Sequence, residues 1–98
     1  MATEHTYVFE ERIDLRAVED SLALAALATA SDHGTVAVRL DVAYRLNKSE
    51  RIVVIETETE IGEAMNRVFY GFLERGIGRE AFTVTRLRGG LDATRSAA

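Results

Sequence analysis

Ninety-eight residues without a cysteine, carrying a net charge of −4 at neutral pH, already exclude a good deal. The length suits one two-layer core, the absence of thiols removes disulfides and sulfur-ligated zinc, and the acidic balance argues against a dedicated phosphate-backbone binder. With 47% apolar and 29% charged residues the chain is globular in composition. No apolar run approaches the roughly 18 residues of a membrane span, and the acidic start MATEHTYVFEER lacks the pattern of a signal peptide. The expectation is a soluble cytoplasmic protein with no membrane partner. The alanine and arginine content hints at a GC-rich bacterial genome.

Taken in order, residues 1–5 read as an N-terminal arm, 6–88 as a single domain, and 89–98 as a flexible tail without periodicity. TYVFEERI, residues 6–13, predicts a strand with Tyr7, Phe9 and Ile13 on one face. Asp14 is an N-cap for a helix over 15–31, whose apolar side carries Leu15, Val18, Leu22, Ala25, Ala26 and Thr29, widened by Leu24 and Leu27. Gly34 is placed to end it.

In residues 35–46, Val36, Val38, Leu40, Val42, Tyr44 and Leu46 recur at every second position, which predicts a long half-buried strand. A turn at Asn47-Lys48-Ser49-Glu50 returns the chain as a strand over 51–57. Centring that turn between Lys48 and Ser49 sets Val42 against Ile55, Tyr44 against Val53, Leu40 against Thr57 and, on the other face, Asp41 against Glu56. The next helix carries the clearest stripe in the chain: Ile61, Ala64, Met65, Val68, Phe69 and Phe72. Thr57 or Thr59 would cap it, Gly76 would close it, and Ile77 would reach back to Phe72. A last strand covers 80–87.

The order β-α-β-β-α-β matches the split βαβ, ferredoxin-like arrangement: an α+β two-layer sandwich with two helices on one face of a four-stranded antiparallel sheet. That order is compatible with many functions, so function must be sought in the residues.

Those residues carry little chemistry. His5 and His33 are isolated, and His33 reads as a helix-terminus residue suited to the dipole. Ser21, Ser31 and Ser49 lack a nucleophile motif. The first strand-to-helix turn has no glycine, and Gly62 follows glutamates that repel phosphate. The uncovered sheet face has no aromatic on which to stack bases, and the arginines at 75, 79, 86, 88 and 95 read as a solvated surface. Tyr70 points away from its helix's stripe.

The expected function is therefore non-enzymatic: an interaction or adaptor domain acting through self-association or partner binding by its open sheet face. Arg39, Asp41, Arg45, Val54 and Glu56 are its candidate interface residues, a homodimer or another protein its partner, and no catalytic residue, metal or cofactor is assigned. The alternative is a dimeric α+β-barrel enzyme or small-molecule binder, with a site between two sheets drawing on Arg39, Asp41, Arg45 and Glu56, with Tyr44 or His33 in support. Nucleic-acid binding ranks third.

Overall fold

The computed structural model describes residues 3–36 and 43–88. Four antiparallel strands form one sheet in the order β2-β3-β1-β4. They are β1 (Thr3–Phe9), β2 (Tyr44–Asn47), β3 (Ile52–Glu56) and β4 (Phe82–Arg88), with helices α1 (Leu15–His33) and α2 (Glu60–Gly76) and a short 3₁₀ turn at Arg79–Ala81. This is the expected ferredoxin-like α+β order. Among the described residues no helix is long and apolar enough to cross a membrane.

β1 begins at Thr3, so residues 3–5 of the stretch read as an arm belong to the sheet, and Ile13 is buried beyond the strand's end. As one of the two inner strands it pairs on both sides, through five positions of β3 and seven of β4. Its alternation is what makes the core. Tyr7 and Phe9 point to the helices with Val53, Ile55 and Phe82, and both helices supply the other half of the cluster. The Tyr7 ring stands edge-on to Phe69 at 4.9 Å, and its hydroxyl donates to Asn66 Oδ1 at 2.6 Å. A buried phenol without such an acceptor would cost about 1–3 kcal/mol.

α1 starts where Asp14 predicts, its carboxylate accepting from the Arg16 amide at 2.9 Å. Val18, Leu22, Ala25 and Thr29 are buried. Leu24 and Leu27 are not: they are 53% and 67% exposed, because the helix packs by a narrower stripe than its leucines suggested. Gly34 closes the helix at φ 92°, and Thr35 and Val36 are helical, not extended.

The strand predicted over 35–46 is thus present at its C-terminal end, in β2, while residues 37–42 lie outside the described residues. Its register also differs from expectation. Tyr44 faces Ile55 and Leu46 faces Val53, two residues from the predicted pairing. The cause is the turn. Asn47 Oδ1 accepts from the Glu50 amide and the Ser49 hydroxyl, and Arg51 takes a left-handed φ of 58°, which moves the turn's centre one position on. A two-residue slip preserves the face of every side chain, so the apolar pattern tolerates it where a one-residue slip would not be tolerated.

α2 is capped by Thr59, whose hydroxyl accepts from the Gly62 amide at 2.9 Å. Its buried residues are Gly62, Met65, Phe69 and Leu73, so the stripe is turned slightly from the predicted one and Phe72 is only half-buried. At the far end the left-handed glycine is Gly78, at φ 88°, and not Gly76, which is still helical. The amides of Ile77 and Gly78 both donate to the Leu73 carbonyl.

Candidate functional site

The face of the sheet away from the helices is formed by the even-numbered residues of β1 and β3 and the odd-numbered residues of β4. Across it, Thr6 faces Val54 and Thr85, and Val8 faces Ile52 and Thr83. Arg45 lies beside Val54 on β2. Val8 is 43% exposed at the apolar centre, and Ile52 and Thr6 are half-buried. A depression of about 170 Å³ opens at one end, lined by Val8, Phe9, Glu10, Glu80, Phe82 and Thr83.

Three of the five candidate residues come together. Arg45, Val54 and Glu56, with Ala43 and Tyr44, line a shallow hollow of about 110 Å³ on β2 and β3. Arg39 and Asp41 lie outside the described residues. Within the hollow Val54 is only 3% exposed, so it is a packed residue of the single chain. For Glu56, the expected pairing with Asp41 lies outside the described residues. The Glu56 amide donates to the Ala43 carbonyl, and its partner across the β1–β3 ladder is Glu4. Among the described residues neither glutamate lies within salt-bridge reach of a basic side chain.

On the helix side, sequence reasoning missed one polar cluster. His5, expected in a loose arm, stands on β1 with its Nδ1 3.0 Å from the Thr57 hydroxyl. Burial, and secondarily the Arg86 guanidinium, hold its imidazole below the ordinary 6.5, with Glu63 opposing. Nearby, burial and then Tyr70 push the Tyr7 phenol well above its usual value. Only the pairing of β1 with β3 and β4 brings these groups together, and no spacing along the chain signals it. Thr57, considered as a helix cap, is instead buried here and bonded to His5 and the Thr3 carbonyl.

The other residues weighed for chemistry stay apart. His33 is exposed in the last turn of α1, Ser49 bonds to Asn47 in the β2–β3 turn, and Ser21 and Ser31 lie on α1. Among the described residues no cluster of three metal-ligating side chains occurs. Tyr70 is half-buried, edge-on to Phe82 at 5.7 Å, and with Arg79, Phe82, Thr83 and Val84 lines a groove of about 340 Å³ between α2 and β4.

Fold and site together define a small α+β sandwich of ferredoxin-like order with one sheet face clear of both helices. No family model, curated protein or solved structure matches the chain.

Proposed function

We propose that the chain is a non-enzymatic association module whose sheet face, opposite the helices, takes the surface of another protein. The observation that carries this reading is the apolar centre of that face: Val8 is 43% exposed between half-buried Ile52 and Thr6, with Glu10 and Arg45 at its margins. An apolar centre with a charged rim is the ordinary anatomy of a protein interface. Val8, at the middle, is the position where truncation or charge is felt most.

The test is Val8→Glu. Its side chain is exposed enough for the variant to fold, so thermal unfolding should change little, while association measured by sedimentation and by pull-down from the native cell should be lost. Val54→Lys is the contrasting variant. Because Val54 is buried, burying an unpaired ammonium there destabilises the fold itself by several kcal/mol, on the order of the cost of an uncompensated buried charge. Retained association in folded Val8→Glu would remove the proposal.

A further inference from the structure

Among the described residues β4 is an edge of the sheet, and the hydrogen bonds show which of its groups look outward. The Glu10 amide donates to the Ala81 carbonyl at 3.1 Å. By the alternation of an antiparallel pair, Thr83, Thr85 and Leu87 turn their backbone groups to β1, while Phe82, Val84 and Arg86 turn theirs away from it. The strand is seven residues long, has no proline, and keeps an unbroken register with β1. Proline and bulges, two of the devices that blunt natural edge strands, are thus absent from it.

The side chains beside that edge add chemistry to the ladder. Phe82 and Val84 face the helix side, where with Tyr70 they form the apolar floor of the groove of about 340 Å³. Arg79 lines this groove, and Arg86 stands two residues beyond Val84 on the same face of β4. Both arginines are exposed, and among the described residues neither is within salt-bridge reach of a carboxylate of its own chain. Two cations thus bracket an apolar trough alongside outward-facing amides and carbonyls.

The geometry points to β4 as a docking edge for an extended peptide that pairs antiparallel to it and carries acidic residues at both ends of a short apolar segment. The register gives the pattern. Peptide residues opposite Phe82, Val84 and Arg86 share their face, so the side chains entering the trough recur at every second position. An acid opposite Arg86, two apolar residues over Val84 and Phe82, and a second acid two positions further, near Arg79, make the sequence acid-x-apolar-x-apolar-x-acid. Main-chain bonds supply affinity and the alternate side chains supply selection, as in other cases of strand addition. A second copy fits less well, since its own β4 would bring Arg86 to a trough that already holds two arginines. This surface differs from the sheet face opposite the helices and does not depend on the association reading.

The probe is fluorescein-labelled Glu-Thr-Val-Thr-Val-Thr-Glu amide, titrated by anisotropy with the full chain. Saturable binding is expected, weakened about tenfold by Arg79→Glu or by Arg86→Glu, both exposed positions whose variants are checked for folding by circular dichroism. The same peptide with lysines for glutamates should bind at least tenfold more weakly. Methylating both valine amides, which face β4 in this register, should abolish binding, and methylating the threonine amides should not. Equal binding of the lysine peptide, or of the valine-methylated one, would overturn the inference. So would displacement of the peptide by a short oligothymidylate, which would assign the arginines to phosphates, or a β4-paired dimer that the peptide leaves intact.

Discussion

Among the described glycines, Gly62 is the one with least room for a side chain. A Cβ at this position would stand 2.4 Å from the Glu56 carbonyl oxygen, a backbone atom that cannot turn aside. Glycine there lets the first turn of α2 sit against the end of β3, and its amide bonds to the Thr59 cap. Gly62→Ala should therefore destabilise by about 1–3 kcal/mol, the usual cost of forced overpacking, although alanine is the better helix former. Urea denaturation measures it, and a stabilised variant would show that α2 can shift away from β3. His5 makes a different prediction. Its folded pKa is lowered, chiefly by burial, so the unfolded chain binds the proton more readily. The stability it contributes is present above the ordinary 6.5 and is lost as pH falls through the depressed folded value. His5→Asn should flatten the stability–pH curve between 6.5 and that depressed value, and an unchanged slope in urea midpoints taken across this window would assign it to another group.

At the scale of the element, α2 separates what a pattern of apolar residues can show from what packing chooses. Periodicity identifies the helix and most of its inner face, yet Leu73 is fully buried and Phe72 only half-buried. A stripe read from sequence has an angular width of a residue or so, and the crossing of α2 over β1 and β4 settles its centre. Phe69→Ala and Leu73→Ala should each cost about 2–5 kcal/mol, and Phe72→Ala clearly less. Equal losses at 69 and 72, with little at 73, would restore the predicted face. The β2–β3 hairpin has the same lesson in its register. The apolar alternation fixes which side chains face the core, and the Asn47 and Arg51 turn geometry, worth a displacement of two positions, fixes which residues meet.

For the whole molecule, two surfaces are separable by experiment. The sheet face centred on Val8 and the outer edge of β4 share only the neighbourhood of Phe82 and Thr83. Val8→Glu should remove association through the face and leave the affinity of β4 for the acidic peptide within about twofold, because Val8 points to the sheet face opposite the one that Phe82, Val84 and Arg86 share. Loss of both together in a folded variant would show one continuous interface.

The order of strands and helices, the caps at Asp14 and Gly34 and the central role of Tyr7 and Phe9 were legible in the chain, because each depends on residues near one another in sequence. The candidate site was legible in part. Arg45, Val54 and Glu56 do gather on the hollow of β2 and β3, but the pairing of β1 with β3 gave Glu56 a neighbour in Glu4, and burial made Val54 a packing residue. The His5–Thr57 contact joins residues 52 positions apart, and the groove at β4 exists only because α2 lays Tyr70 beside Phe82. The sequence by itself determined the kind and order of the elements through local periodicity and capping. Register, the exact buried stripe, and which polar groups meet were decided by tertiary structure alone, since side-chain packing between distant segments is what distinguishes arrangements with the same pattern.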